Sequence, residues 1–356
     1  MARGIMSLAL VALFAAACDD DRRTDGDGDS DTDVDVDVDG DTDVDADGDG
    51  DSDLDGDGDI DGDADTDTDG DDDGDSVVPI GCDGLEEGLN EGFVVGTLAR
   101  SFYLDLPEGV DGGGPWPVLF NWHGLGDSAT NMRGLVAPLV DNDEMPFIAV
   151  TPEDSEFTVM GYSVDWEVFR VDAETNREVQ LFDEVLACLD ERWGVDPDRV
   201  YTTGFSLGAI LSDMLGVTRG DRIAAVATYS GGYFSNPDNL ATLGALRGMV
   251  SWPDPSHGNP YAQLIIHGGE TDGFNAVVAQ LQFDVYAVND AGYLNGMGHD
   301  AVICDHGMGH TAPVPGMMPA QLLEFFADHP RGTVDSPYAA GLPVDFGDFC
   351  AFQGAP

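Results

Sequence analysis

Between residues 92 and 327, short and almost wholly apolar runs alternate with longer stretches in which apolar residues recur every three to four positions. Residues 92–107 are rich in Val, Phe and Tyr and close on Pro107, which predicts one or two strands. The runs 117–124, 146–152, 199–204, 223–232, 262–269 and 301–304 each read as a short strand, apolar enough to be buried on both faces. Between them, residues 178–193 place Val179, Phe182, Val185, Leu186 and Leu189 on one helical stripe. Further helices are expected over 207–216, about 275–291 and about 318–327. Strands that alternate with helices in this way form a mostly parallel sheet with helices on both faces, an α/β fold. Such sheets bind their ligands in the loops beyond the carboxyl ends of the strands.

The first 76 residues follow no such pattern. Residues 1–17 carry one base, Arg3, then an apolar run from Ile5 that ends in small residues before Cys18. This is a lipoprotein-type signal peptide, too short for a membrane span. Cys18 would then become the lipidated N-terminus and attach the protein to an outer or inner membrane surface. Residues 18–76 form an Asp-rich linker, in which every odd-numbered residue from Asp25 to Asp75 is aspartate. Charge repulsion and the scarcity of apolar surface predict disorder there. Pieces such as Asp35-x-Asp37-x-Asp39-Gly40 imitate the start of an EF-hand loop. The twelfth position of that loop falls on Ala46, where an EF-hand needs a bidentate Glu. The tract is therefore expected to act as a spacer that takes up calcium weakly at most, and no other cofactor is expected.

Composition narrows the partners. The net charge is −57, with 13 Lys+Arg against 70 Asp+Glu, and this excludes a nucleic-acid partner, which needs a basic face. Residues 77–356 are enough for one large catalytic domain with a buried core. Export makes disulfides the expected state of Cys82, Cys188, Cys304 and Cys350. Of the three pairings, Cys82–Cys350 with Cys188–Cys304 is favoured, because Cys82 and Cys350 stand at the two ends of the domain. The histidines lack paired ligand spacing, so no metal site is expected.

The chemistry concentrates at Gly204-Phe205-Ser206-Leu207-Gly208, a G-x-S-x-G sequence between a predicted strand and a predicted helix. That turn presents Ser206 above the sheet as a nucleophile. A serine hydroxyl needs a base, and the base needs an acid to orient it. In this architecture the acid and then the base follow the serine along the chain. Asp272 is the preferred acid, with Glu270 as its competitor, and both lie just past the strand at 262–269. His310 is the preferred base because its glycine-rich approach lets the loop fold back, and His306 competes. For the oxyanion, the amide of Leu207 and that of Gly124 or Leu125 are the candidates, with His123 as a structural prop. Tyr233, Phe234, Trp252 and Trp166 stand in loops, either to stack on a substrate ring or to pack those loops down.

At these residues the chain resembles the polyhydroxybutyrate depolymerase and feruloyl esterase group of secreted α/β-hydrolases. The matching pieces are Arg100-Ser101-Phe102-Tyr103 with Leu106-Pro107, the His123-Gly124 loop, Asp196-x-x-Arg199-Val200-Tyr201 leading into the serine motif, the 265–272 segment and Gly309-His310-Thr311. The resemblance implies the α/β-hydrolase fold and hydrolysis of carboxylic esters, polymer-borne ones in kind, such as feruloyl or acetyl groups on polysaccharide, or a polyester. It differs at Leu207, where members often have Asn, and by an extra residue before Asp272, which keeps Glu270 open. Two other readings compete: a peptidase of the same fold, and a calcium-dependent surface adhesion protein with an inactive hydrolase domain.

Overall fold

The computed structural model describes residues 79–354, apart from 173–174, 257–259, 276–279 and 334. The signal segment, Cys18 and the aspartate tract lie outside the described residues. Nine strands build the main sheet among those described. They are β1 (Gly88–Val95), β2 (Leu98–Asp105), β3 (Trp116–Trp122), β4 (Ile148–Pro152), β5 (Val195–Phe205), β6 (Ala225–Tyr229), β7 (Ala262–His267), β8 (Ala301–Asp305) and β9 (Cys350–Gln353). Their order across the sheet is β1-β2-β4-β3-β5-β6-β7-β8-β9. The six strands from β4 to β8 run parallel, and β1, β2 and β9 close the edges antiparallel.

Strand parity divides the core in two. On β3, Val118, Phe120 and Trp122 face one side and Leu119 the other, and on β4 Ile148 and Val150 oppose Ala149 in the same way. The first side is covered by α2 (Arg177–Trp193), α3 (Leu207–Arg219) and α4 (Phe283–Gly296). The second is covered by α1 (Ala129–Val136) and α5 (Pro319–Asp328). A mostly parallel sheet in this strand order, with helices on both faces, is the α/β-hydrolase fold. No helix among the described residues is long and apolar enough to cross a membrane.

Local signals account for most boundaries. The predicted stripe of α2 is buried throughout, and Asn176 caps the helix by accepting from the Glu178 and Val179 amides. Residues 92–107 form parts of two strands, joined in a hairpin at Gly96 with φ +59°. The expected helix at about 275–291 begins later, at Phe283, because Gly273–Asn275 pairs antiparallel with Gln280–Gln282. Arg100 on β2 and Glu178 on α2 form an ion pair at 2.8 Å, and neither side chain is exposed.

The cysteine pairing differs from the expected one. Cys82 bonds Cys188 and Cys304 bonds Cys350. The reason is topological: β1 and β9 occupy opposite edges of the sheet. Eight strand spacings separate those edges, roughly 38 Å in a flat sheet, so Cys82 and Cys350 cannot meet. Cys350 instead stands directly opposite Cys304 in the β8–β9 ladder, and the turn at Cys82–Gly84 packs on α2. Two disulfides in one domain are a mark of exported proteins rather than cytosolic ones.

Candidate active site

The serine motif turns between β5 and α3. Ser206 has φ +56°, a conformation that costs a non-glycine residue energy and that places its hydroxyl beyond the end of the strand. The flanking glycines are required by close approach. A Cβ on Gly204 would run into the Gly208 carbonyl, and one on Gly208 would run into the Trp122 and His123 carbonyls. Because α3 starts at Leu207, the Leu207 amide belongs to the first turn, which has no intrahelical acceptor.

The structure brings Ser206, His310 and Asp272 into one line of hydrogen bonds. His310 Nε2 lies 3.0 Å from Ser206 Oγ, and His310 Nδ1 lies 2.7 Å from Asp272 Oδ1. Since the carboxylate can only accept, Nδ1 carries the proton and Nε2 is free to accept from the serine. Asp272 is fully buried, and its other oxygen accepts from the Gly268 amide and from the Ser230 hydroxyl, each at 2.8 Å. The imidazole is held between Phe283, which stacks on it at 5.1 Å, and Phe205 at 4.7 Å. The loop carrying it is tied down where the Gly309 amide donates to Gly268 at 2.9 Å, an approach so close that a Cβ on Gly268 would overlap the Gly309 carbonyl.

The competing residues stand elsewhere. Glu270 is exposed, on the turn before Asp272. The His306 amide donates to the His267 carbonyl, its ring accepts from the Met308 amide at 3.2 Å, and burial lowers its pKa. On the oxyanion side, Gly124 is buried, and a Cβ there would stand 3.5 Å from Ser206 Cβ. Leu125, the next residue, is half-buried. The Gly126 amide donates to Asp165 Oδ2 at 2.7 Å, and burial pushes the Asp165 carboxyl up to about 6. His123 is buried, with its ring 4.7 Å from that of Trp166, and the Trp166 indole donates to the His123 carbonyl at 2.9 Å.

The loop aromatics are packed down rather than presented. Tyr233, Phe234, Trp166 and Trp252 are all buried, Phe234 against Trp252 at 5.2 Å. The Trp252 indole donates to the Val168 carbonyl at 2.6 Å. Two buried acids fasten the turn that follows β6. Asp213 accepts from the Gly232 amide, and Asp290 accepts from the Tyr233 amide, Asn236 and Asn239. Burial raises both carboxyls, that of Asp290 to about 7. Ser230, Phe283 and Asp165 were not singled out in the sequence. Each belongs to a segment far from the serine motif, and no spacing rule connects it to the site.

A mostly parallel sheet in this strand order, with a serine on the turn after β5 and histidine and aspartate beyond β8 and β7, gives the chain the α/β-hydrolase fold with a Ser-His-Asp constellation. No protein-family model matches the chain. Feruloyl esterase D of Neurospora crassa is 26% identical over 144 residues, which cover 38% of this chain and 47% of the relative. The probable feruloyl esterase C of Aspergillus terreus is 26% identical over 180 residues, covering 49% of this chain and 62% of the relative. The chain thus spans about half the length of the curated relatives it matches. Among solved structures, native sOPH aligns with a TM-score of 0.59 at 18% identity, over 76% of this chain and 94% of that one. Native pOPH aligns at 0.58 with 17% identity, over 76% of this chain and 95% of that one. These structural likenesses bear on the fold.

Proposed function

We propose that the domain is a serine esterase that cleaves carboxylic esters through an acyl-enzyme. The observation that carries the reading is the unbroken line from Ser206 through His310 to buried Asp272, at 3.0 and 2.7 Å. Ser206 Oγ attacks the ester carbonyl while His310 Nε2 takes its proton. The oxyanion is met by the Leu207 amide and the amide of Gly124 or Leu125. His310 then protonates the departing alkoxide, and the acyl group stays on Ser206. A water molecule, deprotonated by His310, hydrolyses that ester and restores the serine. Asp272 stays ionised and holds the imidazole in the tautomer that each step needs.

The substrate reading is a feruloyl or acetyl ester of a polysaccharide, or a polyester, and the names of the two curated relatives support the first of these. The further reading is a lipoprotein attached through Cys18, with the aspartate tract as a solvated spacer that takes up calcium weakly. The disulfides and the apolar run before Cys18 support export.

The test is a fluorophosphonate label with mass mapping, followed by rates on nitrophenyl esters, methyl ferulate, acetylxylan and peptides. Labelling at Ser206, with turnover abolished in Ser206→Ala and in His310→Ala, is the expected result. An unlabelled but folded protein would overturn the reading. Palmitate incorporation that disappears in Cys18→Ser tests the anchor.

A further inference from the structure

Beside the oxyanion loop, three residues from separate stretches of sequence converge. A ring nitrogen of His123 and one carboxylate oxygen each from Glu153 and Asp154 lie within 4.8 Å of one another. His123 directly follows β3, at the start of its loop, and the two acids follow the neighbouring parallel strand β4, so the sheet itself brings the loops together.

The histidine is in an unusual state. Its side chain is fully buried, and Nδ1 is 2.9 Å from the Gly124 carbonyl. A carbonyl only accepts, so Nδ1 carries a proton, with Asp165 Oδ2 3.8 Å away from it. Nε2 is buried and has no hydrogen-bond partner among the described residues. Buried polar atoms are rarely left so. A neutral imidazole whose Nδ1–H is fixed on a carbonyl, with Nε2 open, is the form in which histidine ligates metals.

The acids complete the set. One oxygen of Glu153 accepts from the Ala129 amide at 3.2 Å, and one of Asp154 accepts from the Glu156 amide at 3.1 Å. Each keeps a second oxygen for another partner. Neither carboxylate pairs with an arginine among the described residues. Two half-buried carboxylates beside this imidazole, in a chain of net charge −57, have no arginine counter-charge among the described residues.

We infer that His123, Glu153 and Asp154 form a site for one divalent transition-metal cation, with zinc as the ion of matching chemistry. A nitrogen with two carboxylate oxygens suits zinc, whereas calcium takes an all-oxygen shell. Ligands about 2.0–2.1 Å from a tetrahedral zinc stand roughly 3.3 Å apart, so the acids would close inward by about 1.5 Å at most. Water would fill the fourth position. The ion would act as a clip between the loops after β3 and β4, holding from behind the turn whose Gly124 faces Ser206. The pattern is invisible as a spacing motif, which is why the sequence predicted no metal site. The inference stands apart from the esterase reading.

The test uses the full chain, stripped with a chelator and titrated with zinc and with cobalt(II) by calorimetry, in excess calcium so that the aspartate tract is occupied. One site per chain is expected, with a cobalt ligand-field absorption band and a melting midpoint that rises with free zinc. Glu153→Gln with Asp154→Asn should weaken that site by at least about ten-fold, the scale of lost metal-site support. His123→Gln should remove the nitrogen signature from the cobalt spectrum. Should that variant fail to fold, the carboxylate pair still decides the matter. Equal zinc uptake and affinity in the wild type and the double carboxylate variant would overturn the inference.

Discussion

Ser230 is the residue whose removal would say most about how the site is held. It sits just past β6 with φ +57°, and its hydroxyl donates to Asp272 Oδ2 at 2.8 Å. Asp272 is fully buried and has two other donors, the Gly268 amide at 2.8 Å and the His310 ring at 2.7 Å. Ser230→Ala removes one of three. A hydrogen bond to a buried charge contributes about 1.5–3 kcal/mol, so the variant should lose about that much stability. If half of the loss reaches the transition state by letting the carboxylate swing off the imidazole, kcat falls by roughly three- to ten-fold, since about 1.4 kcal/mol is a decade in rate. KM should hardly move, because Ser230 is buried and its hydroxyl acts on the site through Asp272. Ser230→Gly separates the hydrogen bond from the backbone. Glycine adopts a positive φ without strain, so this variant should be about 1 kcal/mol more stable than Ser230→Ala yet equally slow. The assay is steady-state hydrolysis of a nitrophenyl ester beside urea unfolding of both variants. Two variants that turn over at the wild-type rate while losing stability would refute a positioning role and leave Ser230 as part of the scaffold alone.

Other consequences are simpler to check. Arg100→Met strands Glu178 as a lone buried charge and should cost about 3–5 kcal/mol in urea unfolding, most of which Arg100→Met with Glu178→Leu should restore. An unreduced proteolytic digest should yield one peptide pair joined through Cys82 and Cys188 and another through Cys304 and Cys350, with none joining Cys82 to Cys350. Replacing Cys304 and Cys350 by Ser should cost about 4 kcal/mol by loop-closure entropy, for a separation of 46 residues. His329 is buried and its pKa is lowered by that burial, so the unfolded chain takes up a proton that the folded one resists. Its stabilising share is full above the unfolded value near 6.5 and is lost as pH falls below it, by up to about 1.4 kcal/mol per pH unit. His329→Gln should flatten the stability profile between pH 7 and 5, and parallel profiles for the two proteins would count against this.

What was legible in the sequence was local. The apolar stripe of α2, the buried parallel strands and the strand–turn–helix setting of Ser206 are each written within a dozen residues, where periodicity and glycine placement speak directly. Asp272 over Glu270 and His310 over His306 were choices between neighbours. The structure separates the acids by burial, since Asp272 is enclosed while Glu270 faces solvent, and the histidines by contact, since the His310 ring meets Ser206 and Asp272 while the His306 ring accepts from the Met308 amide. The helix start at Phe283 escaped because a small hairpin competes for the residues before it. The loop aromatics were ambiguous for a similar reason, since an indole that covers a core and one that waits for a ligand have the same letters around them.

The cysteine error shows where the limit lies. Joining the two ends of a domain is a sound guess when nothing is known of its path, because chain termini often lie close together. Here the path forbids it. The order β1-β2-β4-β3-β5-β6-β7-β8-β9 sends the first and last strands to opposite edges, so every link between the ends must be replaced by one within each edge. Cys304 and Cys350 obey that rule as ladder partners, and Cys82 obeys it by reaching α2 instead. The same order sets β3 beside β4, and with them the loops that carry His123 and the Glu153–Asp154 pair. Strand order is thus the missing quantity in both cases. A sequence that reveals its elements still hides which loops are neighbours, and here both the covalent cross-links and the inferred metal clip are properties of neighbouring loops.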